Sequence, residues 1–288
     1  MLLLAAPSVF AEPLDQYWHD ARSTQFSAPS AEELDTAERL FVRLLRGERS
    51  PALRLAWERL GFELAGLRYR GVPLLVLRES GANQEQREGR GLFAFSTRRT
   101  SATVLQAPHG FSEPHTAQIA MRLLAEGDFR AAAWNTAATA SPTHPQLRPE
   151  RFRLPPEDYI TAFTRALMVA LPDARVVQLH GFDPAEVYTP SVRNADLVVS
   201  GYGNTGSAAT ARRGRCLKDR LESTVRIFPS EAKEMGATIN RIGRLVSESG
   251  SQGFVHLAMS MEFRQELLGD PELRHQLVGC LADIADEE

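Results

Sequence analysis

The chain has no apolar segment approaching the ~20 residues needed to span a bilayer, which excludes stable membrane insertion as a helix. It also has no long block of Lys or Arg. Its 33 basic residues stand against 36 acidic ones for a formal charge of -3, so it carries no phosphate-tracking stripe and no nucleic-acid partner is expected. Cysteine is scarce: Cys216 and Cys280 fit no metal-ligand spacing, and one disulfide or two buried thiols are equally open. What remains is an ordinary globular composition. With 288 residues, 43% of them apolar and 24% charged, the chain can bury a full core as one large domain, alone or with a small appendage.

The first residues, MLLLAAPSVFAEP, form an apolar run ending in Val9-Phe10-Ala11, with compact residues where a signal peptidase reads. No basic residue precedes the run. The expectation is a secretory signal over 1–11, and hence a periplasmic or secreted protein.

Residues 12–61 read as a helical lead-in packed on a main domain. Ser30-Ala31-Glu32-Glu33 has the form of a capping box, and Leu34, Ala37, Leu40, Phe41, Leu44 and Leu45 then recur on one helical face as far as Gly47. Ser50-Pro51 opens a second helix with its stripe at Leu53, Ala56, Trp57 and Leu60. From residue 62 the period changes. Strand-like runs at 62–67, 73–78, 91–96 and 103–106 are followed by RAAAW, ARVVQLH, ADLVVS, TVRIF and GFVHLAM. Helical patterns near 115–127, 156–171, 207–222 and 261–285 alternate with them, the last with a break at Gly269-Asp270-Pro271. The expected class is α/β, a mixed, largely parallel sheet covered by helices over 62–288.

In such sheets ligands sit beyond the carboxyl ends of the strands. His109 and Glu113 follow one strand, His180 and Asp183 a second, Ser200 and the turn Gly201–Gly206 a third, and His256 and Ala258 lie in a fourth. Two imidazoles and a carboxylate, His109, Glu113 and His180, match a catalytic zinc site with a fourth position open to water. Zinc lowers the pKa of such a water to about 7 and polarises a carbonyl. Spacing alone equally allows histidines that merely satisfy turn hydrogen bonds.

The segments VLQAPHGFSEPHTAQIA, VVQLHGFD, LVVSGYGNTG, ATINRIGR and GFVHLAMSMEFR resemble, in order and local pattern, the zinc amidohydrolases similar to phage poly-γ-glutamate hydrolase and N-formylglutamate amidohydrolase. The similarity covers roughly 100–268, with the GLFAFS strand upstream. It implies a phosphorylase/hydrolase-like, zinc carboxypeptidase-like fold and makes His109, Glu113 and His180 the metal ligands. His115 is a rival that reads better as a cap or as a group behind the ligands. Where relatives often carry a His or Ser, this chain offers only Asn135, Thr136 and Thr139, and His144 stands in a nearby Pro-flanked loop. By the same resemblance Asn240, Arg241 and Arg264 hold a substrate carboxylate, Arg244 being as readily a surface charge. Arg212, Arg213 and Arg215 read as surface charges.

The family's general base is a glutamate in the terminal strand, and here that position is Ala258. Such a group contributes about 10²- to 10⁴-fold. Three explanations stay open: a deliberate substitution, Glu262 one turn on as a substitute base, or a natural non-catalytic relative. The expected function is zinc-dependent hydrolysis of an amide next to a carboxylate, in a small peptide or acyl-amino acid of γ-glutamyl or N-acyl type. Peptidoglycan peptides are one such class. The alternative is a periplasmic protein that binds zinc and a carboxylate without turnover.

Overall fold

The computed structural model describes residues 13–81, 83–98, 101–137 and 157–281. The expected signal over 1–11, with Thr139 and His144, lies outside these described residues. Helix α1 (Pro13–Ala21) comes first. In α2 (Ala31–Leu45) the capping box is complete: the Ser30 hydroxyl accepts from Glu33 N–H, and the Glu33 carboxylate accepts from Ser30 N–H. In α3 (Pro51–Arg59) the Ser50 hydroxyl accepts from Leu53 N–H and Pro51 occupies the first turn, where its missing donor costs nothing.

The chain then runs β1 (Phe62–Tyr69), β2 (Val72–Glu79), β3 (Leu92–Ser96), β4 (Thr103–Ala107), α4 (Thr116–Glu126), β5 (Ala131–Trp134), α5 (Tyr159–Ala170) and β6 (Arg175–Gly181). It continues through α6 (Pro190–Arg193), β7 (Leu197–Ser200), α7 (Ala208–Arg220), β8 (Val225–Ile227), α8 (Arg241–Glu248), β9 (Phe254–Met259), α9 (Met261–Gly269) and α10 (Pro271–Leu281). The break before α10 falls where Pro271 forbids a continuous helix, and the Asp270 carboxylate accepts from the Glu272 and Leu273 N–H groups there. The expected helices did not include α8; its start is capped by Asn240, whose carboxamide oxygen accepts from Gly243 N–H.

The strands form one sheet in the order β1-β2-β3-β5-β4-β6-β9-β7-β8. The central four, β5, β4, β6 and β9, are parallel; β3 and β7 join them antiparallel on either side, which makes the sheet mixed with a parallel centre. Alternation along the central strands sends side chains to two apolar layers. Leu105, Val177, Leu179, Val255 and Leu257 pack with Leu14 and Trp18 of α1 and with Ile119 and Leu123 of α4. Val104, Val176 and Phe254 pack with Phe41 of α2, Trp57 of α3 and Phe163 of α5. There Phe41 touches Trp57, Phe93 and Phe163, with ring centroids at 4.7, 4.8 and 5.3 Å. Burying each such ring stabilises the fold by about 1.5–3 kcal/mol, so α2 and α3 are part of the layer that closes this face.

The path through the centre fixes where a ligand can sit. From β4 the chain crosses through α4 to β5 on one side, then returns through α5 to β6 on the other side of β4. Helices α4 and α5 lie on opposite faces. The winding therefore reverses at β4, and the crevice beyond the carboxyl ends of β4 and β6 is the switch point at which open α/β sheets bind ligands.

Candidate metal centre

The loop after β4 starts with Pro108 and His109 and then makes one helical turn, in which Ser112 and Glu113 N–H donate to the His109 carbonyl at 2.9 and 2.7 Å. That turn carries Glu113 back beside His109, and the Thr116 hydroxyl donates to the Glu113 carbonyl at 2.8 Å to start α4. Strand β6, paired in parallel with β4, delivers His180 to the same crevice. Ligand atoms of His109, Glu113 and His180 all lie within 4.8 Å of one another. The Glu113 Oε2 is 3.4 Å from His180 Nδ1 and accepts from Gly181 N–H at 2.8 Å. With tetrahedral bonds of about 2.0–2.2 Å to nitrogen and oxygen, neighbouring ligand atoms stand about 3.3–3.6 Å apart, so this pair already has the spacing of co-ligands.

The charge states suit that use. Burial pushes the His109 imidazole down to about 4, against the pull of Glu113 and with help from nearby His180. Burial also takes His256 well below the ordinary histidine value, with His180 and His109 adding to it. For Glu113 burial acts upward, but His180, His109 and the Gly181 N–H outweigh it and hold the carboxyl below its usual value. A neutral His109 imidazole beside an ionised Glu113 carboxylate is what a divalent cation binds without first displacing protons.

Behind His180 runs a buried polar chain that sequence reasoning missed. Gln106 of β4, Gln178 of β6, His256 of β9 and Ser200 of β7 stand in register across four strands. The Thr164 hydroxyl donates to the Ile160 carbonyl at 2.9 Å and Gln106 Nε2 donates to Thr164 Oγ1 at 3.0 Å. Gln178 Nε2 donates to Gln106 Oε1 at 2.9 Å, Asn240 Nδ2 donates to Gln178 Oε1 at 2.7 Å, and His180 Nε2 lies 3.4 Å from that same oxygen. The signal was present as two glutamines in otherwise apolar strands. His256 stacks on His180 with ring centroids 4.6 Å apart, and its Nδ1 is buried without a hydrogen-bond partner among the described residues.

The other expected site residues are placed as follows. Ala258 pairs with His180 across β6 and β9, is 1% exposed, and packs among Phe182, Val187, Val198 and Phe228. Glu262 is exposed in the first turn of α9. Asn240 is engaged as the cap of α8 and as a donor to Gln178. Arg241 follows it, half-buried, and its charge reaches the Asp158 carboxyl. Arg264 needs correction as a substrate clamp. It is 3% exposed, and its guanidinium donates to the carbonyls of Ser260, Pro114 and Phe182 at 3.1, 2.6 and 3.4 Å, which makes it a strut between the two ligand-bearing loops. His115 starts α4 in the left-handed region at φ 75° without a side-chain cap bond, so the cap role does not hold. Arg212 and Arg215 are exposed, but Arg213, expected at the surface, is buried. Arg244 is exposed beside Glu248 at 3.7 Å. Asn135 and Thr136 serve the backbone, accepting from the N–H groups of Ala137 and Gly91.

No protein-family model matches the chain, and no curated protein sequence matches it. Among solved structures it is similar to N-formylglutamate amidohydrolase from Ralstonia eutropha JMP134, at 11% identity over 67% of this chain and 96% of that one, with a TM-score of 0.44. It is also similar to gene product Atu2144 from Agrobacterium tumefaciens, at 16% identity over 63% and 89% of the two chains and a TM-score of 0.38. A candidate metallopeptidase from Shewanella amazonensis SB2B follows at 12% identity, 90% and 99% coverage and a TM-score of 0.36.

Proposed function

We propose that this chain is a zinc-dependent hydrolase of amide bonds next to a carboxylate, of γ-glutamyl or N-acyl-amino-acid type. The observation that carries the reading is the convergence of His109, Glu113 and His180 within 4.8 Å at the switch point of the sheet. Those three residues would hold the ion, which when bound supplies Lewis acidity toward a carbonyl and acidifies a water. Two imidazoles with one carboxylate are the donor set of a catalytic rather than a closed structural zinc site.

The rest of the work falls to the chain. Arg241, at the start of α8 beside the crevice, is the anchor for the substrate carboxylate, and Asn240 fixes the turn that carries it. Arg264 holds the loops of Glu113 and His180 at constant separation. The Cys216–Cys280 disulfide, which joins α7 to α10, supports an oxidising compartment, periplasmic or extracellular, where peptidoglycan peptides offer such bonds. No helix among the described residues is long and apolar enough to cross a membrane.

A second reading, a non-catalytic zinc- and carboxylate-binding protein, is favoured by Ala258. Its neighbours Phe182, Val187, Val198 and Phe228 enclose the position that would carry the base, and it has the packing of an apolar site. Zinc content followed by amidase assays on γ-glutamyl peptides and N-acyl-amino acids separates the two readings. The hydrolase reading expects bound zinc, and a gain of about 10²-fold or more for Ala258→Glu. Zinc-loaded Ala258→Glu with no gain leaves only the binding protein, and a chain that takes up no zinc removes both.

A further inference from the structure

The polar chain behind His180 has one end set by a backbone N–H and another that agrees with it, and together they show which way its amides point. At one end the Thr164 hydroxyl lies 2.9 Å from the Ile160 carbonyl, and in donating its single proton there it accepts from Gln106. That makes the facing atom of Gln106 the nitrogen, leaves Gln106 Oε1 to accept from Gln178, and turns Gln178 Oε1 toward His180. At the other end the Asn240 oxygen accepts from the Gly243 backbone N–H, so Asn240 offers its nitrogen to Gln178. Both ends, one in α5 and one in α8, thus assign the same Gln178 atom as oxygen. The Asn240 end fixes that assignment, because a backbone N–H can only donate, and the Thr164 end agrees with it.

We infer that Gln178 is a positioning residue that holds His180 as the Nε2–H tautomer, with its Nδ1 lone pair turned toward Glu113 and His109. An imidazole nitrogen facing an oxygen with no proton to give must itself be the donor. With Nε2 protonated, neutral His180 sets its Nδ1 lone pair 3.4 Å from Glu113 Oε2, acceptor against acceptor. Either a second proton on Nδ1 or a metal ion between the two relieves that opposition, so in the neutral ring the relay leaves the Nδ1 lone pair turned toward the place an ion would take. Gln106, Gln178 and Thr164 are at most 2% exposed, so the bonds among these three are shielded from water. The inference rests on the metal reading for its purpose but not for its geometry.

The test reads the His180 tautomer in the metal-free protein by long-range ¹⁵N–¹H correlation at alkaline pH, with the His180→Gln spectrum for assignment. Zinc alone is then titrated into the wild type, Gln178→Leu and Gln178→Glu. The expected result is Nε2–H for the wild type, a mixture of tautomers with zinc affinity weaker by about 10- to 100-fold for Gln178→Leu, and recovery of the tautomer alone by Gln178→Glu, whose carboxylate keeps the acceptor facing His180 but loses the donor to Gln106 Oε1. The wild-type spectrum decides even where a variant fails to fold. Nδ1–H in the wild type overturns the inference, as does a Gln178→Leu protein with unchanged tautomer and unchanged zinc affinity. Nε2–H in a protein that takes no zinc supports the relay and removes the metal reading; Nδ1–H in a protein that binds zinc removes the relay alone.

Discussion

Gly181 and Arg264 share one volume: a Cβ on Gly181 would lie 2.4 Å from Arg264 Nη1. The glycine is required because the guanidinium passes directly over the end of β6 to reach the Pro114 carbonyl at 2.6 Å. Gly181 N–H also holds Glu113 at 2.8 Å, so the two residues together set the distance between the ligand loops.

Gly181→Ala should therefore displace the strut and cost about 1–3 kcal/mol in stability, with weaker zinc uptake. Arg264→Lys should destabilise by a similar amount, because one ammonium cannot reach three separated carbonyls. Urea titration with substrate kinetics checks both. A role for Arg264 in holding substrate would instead raise KM while leaving the urea midpoint unchanged.

Zinc at 100 times its Kd should stabilise the wild type by about 2.7 kcal/mol, since an ion bound only by the native state shifts the unfolding equilibrium. His109→Ala and Glu113→Gln should abolish that increment. Glu113→Gln is the cleaner variant, as its amide oxygen can still accept from Gly181 N–H. Calorimetric melting with and without zinc is the measurement, and an increment that survives both substitutions would place the ion elsewhere.

The His109, Glu113 and His180 cluster was legible because two separate regularities intersect on it: strand periodicity puts His109 and His180 at strand ends, and the sheet rule puts ligand sites there. Gln106 and Gln178 were visible as polar letters in apolar strands, yet their meaning depends on β4 and β6 being neighbours, and 68 residues separate Glu113 from the Gly181 it bonds. Adjacency of strands that are not consecutive is a property of the winding, which local pattern does not encode. Arg264 and Arg213 were misjudged for a related reason. An arginine on a helix reads as a surface charge or a ligand arm, whereas burial against carbonyls from distant loops has no periodicity. Helix α8 escaped because its eight residues carry only one short apolar stripe, Ile242, Leu245 and Val246.

The Cys216–Cys280 bridge closes a sequence separation of 64 residues between α7 and α10. Loop-closure entropy of that length corresponds to about 4 kcal/mol, less any residual order in the unfolded chain. The Cys216→Ser, Cys280→Ser double variant should unfold at correspondingly lower urea, and reductant should bring the wild type to the same midpoint. Equal midpoints for oxidised wild type and variant would show that the bridge contributes nothing to the equilibrium.

Asp158 caps α5, its carboxylate accepting from the Thr161 N–H and hydroxyl, both at 2.8 Å. Burial nevertheless raises this carboxyl above its ordinary value of 3.8, outweighing those bonds and the charge of Arg241. The native state then binds the proton more tightly than the unfolded chain does, so the group's contribution is fully favourable below 3.8 and is lost as pH rises through the native value. Asn caps as well as Asp and cannot ionise. Asp158→Asn should therefore gain stability relative to the wild type as pH rises from below 3.8 to neutrality, and Asp158→Ala should follow the same slope about 1 kcal/mol below Asp158→Asn, the cap being lost. Urea titrations of the three proteins across that range decide it: an Asp158→Asn difference that stays flat, or runs the other way, would mean that the Thr161 bonds and Arg241 outweigh burial at this cap.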